Sequence, residues 1–192
     1  MMRTRDVDFL VRNLRKPPHR TDFISRMEET GFTLDASRNA GIHRFLHEDV
    51  GMEIEFLLQE RGQGSAEAHH VESLGIRVQG LRNLDILSRF TMDVAYNDID
   101  IIVPTPEAYA AHKLVINSGR AEAKREKDIQ AIDLVLEYIR ANQRGRFFKE
   151  VWNSLTKKQK MSALSTAKEN HIEIDDMICD DFESLCVLKM IF

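Results

Sequence analysis

The sequence predicts an α/β protein of the α+β kind, with a mixed β-sheet flanked by helices and a helical region at its C-terminal end. Two observations predict it. Up to Val103, apolar residues alternate or form short β-branched and aromatic runs divided by turn residues; beyond the break at Pro104-Thr105-Pro106 they recur at helical spacing. The break divides the chain into a first region, 1–103, and a helical region, 104–192. With 192 residues, 43% of them apolar, the chain is long enough to bury a core.

The first strand is Val7-Asp8-Phe9-Leu10-Val11, after which Pro17-Pro18 breaks the chain. Thr21-Asp22 can cap a helix running to about Thr30, ended by Gly31, with Phe23, Ile24 and Met27 as its buried face. Three strands follow, Phe32 to Leu34, Ile42 to Leu46 and Met52 to Leu58, with turns at Asn39-Ala40-Gly41 and Glu48 to Gly51. The polar stretch from Glu60 to Ser73 has no period and reads as a mobile loop. Ile76-Arg77-Val78 and Ile99 to Val103 are further strands, with a short helix near Leu84 to Phe90 between them. Pro106 is placed to open a helix. From Glu107 onward, Tyr109, Leu114, Val115 and Ile116, then Ile129, Ile132, Leu134, Val135, Leu136, Tyr138 and Ile139 follow the helical period. Helices at Phe147 to Leu155, Lys157 to Glu169 and Asp180 to Ile191 complete the chain, with Phe147, Phe148 and Trp152 assigned to the core.

Composition narrows the function classes. A net charge of −4 and a pI near 6.0 give no global attraction to nucleic acid. No apolar stretch is long enough to span a membrane and the first residues lack the apolar core of a signal peptide, so a soluble, cytoplasmic protein is expected. The two cysteines, Cys179 and Cys186, have no zinc-like spacing.

The chemistry lies in two acidic strands. Asp6 and Asp8, two apart on a strand, share a face, and so do Glu53 and Glu55 in Met52-Glu53-Ile54-Glu55-Phe56-Leu57-Leu58. Neighbouring strands so marked aim three or four carboxylates at one point, which costs several kcal/mol unless something cationic neutralises them. Phosphoryl or nucleotidyl transfer uses such a cluster, with carboxylates holding divalent metal and one of them receiving or binding the attacking hydroxyl.

RTRDVDFLV followed by MEIEFLL resembles the D-x-D strand and the later single-carboxylate strand of the polymerase-beta-like nucleotidyltransferase superfamily. Arg3-Thr4-Arg5-Asp6-Val7-Asp8 is similar to the form found in minimal nucleotidyltransferases, including those of bacterial toxin–antitoxin and abortive-infection systems. The segment from Val103 to Ile139 resembles the helical half of the same enzymes, with its V-P-x-P-E-x-[FY]-x-x-H-K-L helix and a later K-D helix. Together the resemblance covers residues 3–141.

Carried onto this chain, the resemblance implies a nucleotidyltransferase fold with Asp6, Asp8 and Glu55 as catalytic metal ligands and Glu53 as the alternative third carboxylate. It implies Thr4, Lys113, Lys127 and Asp128 as nucleotide contacts, Lys113 facing the triphosphate. The implied reaction is transfer of a nucleoside monophosphate from an NTP to a hydroxyl of a protein, tRNA or small molecule. Mg2+, as one ion or two, is the implied cofactor, with Mn2+ as its substitute. One departure is the Gly-Ser turn that stands a dozen or so residues before D-x-D in the superfamily: Met1 is five residues before Asp6, so the expectations are a truncated start, a partner that supplies the turn, or a fold kept without nucleotide transfer. A partner subunit or a homo-oligomer that completes the site is one expectation from this, and a catalytically inactive binding or regulatory protein, or a toxin–antitoxin component, is the alternative function.

Other motifs read as ordinary. Asp98-Ile99-Asp100 is a surface D-x-D, His43 and His47 lack further metal ligands, and His69-His70 belong to the loop. Arg120 to Lys127 is a solvated, mixed-charge helix face.

Overall fold

A computed structural model describes residues 5–11, 21–36, 41–60, 62 and 67–179. The Thr4, Pro17-Pro18, Asn39-Ala40 and Cys186 assignments and the helix from Asp180 to Ile191 lie outside them. The protein is mixed α/β and falls into two compact units divided between Leu84 and Asp85, whereas the proline break suggested 103/104 from sequence.

The first unit is built on a curled mixed sheet. Its strands are β1 (Asp6–Val11), β2 (Thr33–Asp35), β3 (Arg44–His47), β4 (Met52–Gln59), β5 (His69–Val71) and β6 (Ile76–Leu81), in the order β2-β3-β4-β6-β5 with β1 also on β4. β4 is the spine: β1 runs parallel to it from residue 53 to 58, β3 antiparallel along its first half and β6 parallel at its last three residues. Alternation sends Phe45, Ile54, Phe56, Ile76 and Val78 to one face, where α1 (Phe23–Glu29) lies with Phe23, Ile24 and Met27 against them. Phe23 meets Phe45 and Phe56 edge-on at 5.5 and 5.3 Å, and burying each large ring contributes about 2–3 kcal/mol.

Gly31 ends α1 with φ +90, and a Cβ there would stand 2.8 Å from His47 Nε2, so both backbone angle and space call for glycine. The expected cap differs. Asp22 makes no side-chain cap bond; Thr21 instead donates from its backbone N and Oγ1 to the Ser73 carbonyl at 2.9 and 3.0 Å, tying the helix entry to the chain beyond β5. β5 itself corrects the reading of 60–73 as loop: His69 hydrogen-bonds Glu60 at 3.0 Å, and the strand pairs with β6.

In the second unit, α2 (Leu84–Arg89) leads into a hairpin of β7 (Thr91–Tyr96) and β8 (Ile99–Pro104). Asn97 and Asp98 both have positive φ, as a two-residue type I′ turn demands, so Asp98 and Asp100 serve turn and hairpin. The hairpin is followed by α3 (Pro106–Ile116), a 3-10 turn (Asn117–Gly119), α4 (Glu122–Ala141), α5 (Gly145–Ser154), α6 (Lys157–Glu169) and α7 (Asp175–Ile178). Thr105 caps α3 by accepting from the Ala108 N–H, with Pro106 at the first helical position, and Thr156 with Gln159 forms a capping box on α6. α3 is central, packing on α4, α5 and α6 through Ala110, Ala111 and Leu114, with Ile132, Ile139 and Phe148 in the same core. Phe147, expected in the core, is exposed instead and lies under the guanidinium groups of Arg144 and Arg146, and Leu134 and Tyr138 of α4 are exposed as well. Among the described residues no helix is long and apolar enough to cross a membrane.

Candidate active site

The face of the first sheet opposite α1 is acidic. Parallel pairing places Asp6 beside Glu53 and Asp8 beside Glu55, and because alternate residues share a face all four carboxylates stand on one side. Asp6 and Asp8 are exposed and Glu53 and Glu55 half-buried. The register is fixed by the other face: a slip of one residue would turn Ile54 and Phe56 out of the core and the glutamates into it. At the Asp6 end a depression of about 300 Å³ is lined by Arg5, Asp6, His47, Glu48 and Glu53 among others.

Arg44 sits across β4 from β1, opposite Glu55 in the antiparallel register. Its guanidinium donates to Glu53, and Nη2 to Asp35 Oδ2 at 2.7 Å, while Nη1 stands 3.9 Å from Glu55 Oε1. The side chain is only 11% exposed. Burial works against the Arg44 charge, but the charges and hydrogen bonds of Glu53 and Asp35 outweigh it and push its pKa up. No motif marks Arg44 in the sequence; the usable signal is a lone cation alternating with Phe45 in a strand one turn before Glu53-x-Glu55.

The carboxyl of Glu55 is pushed above its ordinary value. Burial is the largest cause, followed by the charges of Asp8 and Glu53 and a hydrogen bond with Glu53, with Arg44 opposing them. This is the like-charge tension that the two acidic strands foretold. Among the described residues, no three His, Cys, Asp or Glu side chains form a ready ion-binding group as they stand.

A second charged cluster lies within the helical unit. Lys113 on α3 donates to Asp128 Oδ1 on α4 at 2.7 Å, and Arg120 Nε stands 3.1 Å from Asp128 Oδ2, an ion pair that lacks hydrogen-bond alignment. Asp128 is buried, and Lys113 also lies 5.5 Å over the Tyr109 ring. Lys113 and Asp128, singled out separately by sequence, are thus brought together, while Lys127 is on the exposed side of α4. Next to Lys113, buried His112 is held near pKa 4 by desolvation and then by Lys113 and Arg120.

A model of the family described as Nucleotidyltransferase matches residues 1–157. The chain belongs to that nucleotidyltransferase family. No curated protein and no solved structure matches it. The match spans both acidic strands and the Lys113–Asp128 pair, and membership of a nucleotidyltransferase family implies an NTP substrate. In this member of the family Glu107 of the V-P-x-P-E segment has a structural part, its buried carboxylate gripped by Arg144 Nε and Nη2 at 2.5 and 3.1 Å. His43 precedes β3 and His47 ends it, packing edge-on against Phe32.

Proposed function

We propose that this chain transfers a nucleoside monophosphate from an NTP to an acceptor hydroxyl, using Asp6, Asp8 and Glu55 as its acidic centre. The observation that carries the reading is the β1–β4 register, which pairs Asp8 with Glu55 directly on an exposed sheet face of a nucleotidyltransferase-family chain. The donor set suits a hard divalent cation: all ligands are carboxylate oxygens, and the like charges of Asp8 and Glu53 beside Glu55 are what such an ion neutralises. Asp6, Asp8 and Glu55 would hold Mg2+, with Mn2+ as its substitute, and the ion would supply charge neutralisation at the phosphates.

The chain's own groups then have distinct tasks. The acceptor oxygen forms a bond to the α-phosphorus as the bond to pyrophosphate breaks, and the hydroxyl proton passes to Glu55. Lys113 is proposed as a nucleotide contact, its ammonium oriented by Asp128 and the Tyr109 face.

The test is label transfer. The chain is incubated with Mg2+ and each NTP labelled at the α-phosphate, together with protein, tRNA or small-molecule fractions as acceptors. Transfer to one fraction that is lost in Asp6→Asn and Asp8→Asn is the expected result. Transfer that survives both substitutions would overturn the assignment.

A further inference from the structure

Four carboxylates share the acidic face, yet only three are needed, and Glu53 and Glu55 are chemically identical candidates on one strand. We propose that Arg44 is a positioning residue that selects Glu55 as the third carboxylate by holding Glu53 in a fixed ion pair. The inference rests on the acidic-centre reading above and deepens it.

The geometry is asymmetric in the required sense. By backbone register Arg44 lies opposite Glu55, yet its guanidinium is committed to Glu53 and to Asp35. Glu55 is left at 3.9 Å, beyond hydrogen-bond distance. Asp35, from β2, is beside Arg44 in the β2–β3 register, so the guanidinium is anchored from two strands at once and its planar fork has a defined orientation. An Arg44 that is 11% exposed and bound to two carboxylates does not readily release either. Glu53, already neutralised, is the poorer ligand for an added cation; Glu55, beside Asp8, is the better one. Lysine at position 44 would carry the charge but not the fork.

The experiment uses the full chain and Mn2+, counted by the loss of its free electron paramagnetic resonance signal, with circular dichroism checking each variant. In wild-type protein, binding that is weakened in Asp6→Asn and Asp8→Asn establishes the acidic centre. On that background, Glu55→Gln is expected to weaken binding by more than about tenfold, and Glu53→Gln by less than about twofold. The diagnostic pair is Glu55→Gln alone against Arg44→Gln/Glu55→Gln: freeing Glu53 should restore at least about threefold of the lost affinity, and adding Glu53→Gln should abolish the gain. Arg44→Lys/Glu55→Gln should regain less than the glutamine version, because the charge stays beside Glu53.

Each outcome decides. No Mn2+ binding, or binding indifferent to Asp6 and Asp8, overturns the acidic centre and the inference with it. If Asp6 and Asp8 matter but Glu53→Gln costs as much as Glu55→Gln, or the Arg44→Gln gain persists without Glu53, the inference falls and the acidic centre stands. The single-substitution comparison of Glu53 with Glu55 decides even if the Arg44 variants fail to fold.

Discussion

Acidification should destabilise the helical unit through His112. In the folded chain this residue is buried and held near pKa 4, against an ordinary 6.5, by desolvation and then by the charges of Lys113 and Arg120, with Asp85 opposing. Its Nδ1 is buried without a hydrogen-bond partner. Between these values the unfolded chain binds a proton that the folded chain refuses, so stability is full above 6.5 and falls as pH drops toward 4. At about 1.4 kcal/mol per pH unit the whole interval corresponds to roughly 3 kcal/mol, and about 2 kcal/mol is lost by a pH of about 5. Urea unfolding followed by the fluorescence of Trp152, the sole tryptophan and a member of the same core, reads this directly. His112→Phe, which cannot titrate, should show a pH profile flatter by that amount. Parallel profiles for the two proteins would refute the reasoning, because other titrating groups are common to both.

Three further outcomes follow from charge and packing. Glu55→Gln should stabilise the fold near neutral pH, by less than about 1 kcal/mol because solvent screens the half-exposed carboxyl. The raised Glu55 pKa means the wild-type loses stability as pH rises from the ordinary 4.5 through the folded value, so the gain should vanish in more acidic solution when thermal midpoints are compared. Asp128→Asn leaves Lys113 and Arg120 facing each other without their shared anion, and should cost about 2 kcal/mol in denaturant unfolding, below the fully buried range because both cations keep some solvent. Phe148→Ala should cost about 3–5 kcal/mol and Phe147→Ala less than about 1, since only the former ring is enclosed; equal costs would contradict the assigned helix face.

Much of this architecture is legible in the chain because the local signals agree with the fold. The first parts of β1 and β4 alternate acidic and apolar residues, and α6 starts at a capping box, so strand faces and helix bounds can be read before any packing is known. β7 is harder: Thr91 to Tyr96 is turned by Asn97-Asp98 rather than the stronger Asn-Gly, and every residue of the strand is exposed. β5 is three residues long and two of them are histidine. Phe147 and Phe148 are adjacent, and spacing alone cannot say which of two neighbours faces inward. At the site, the carboxylates announce themselves, while Arg44 acquires meaning only once the β3–β4 register sets it against Glu53 and Glu55. Lys113 and Asp128 are fifteen positions apart, and their pairing depends on how α3 packs on α4.

The central claim is that Asp6 and Asp8 form part of a working nucleotide site. Calorimetric titration of the chain with each NTP in Mg2+ tests it most directly, beside the Asp6→Asn/Asp8→Asn variant and a metal-free control. The account predicts saturable binding of at least one NTP that requires both the metal and the two aspartates. Binding unchanged by the double substitution, or none with any NTP, would contradict it.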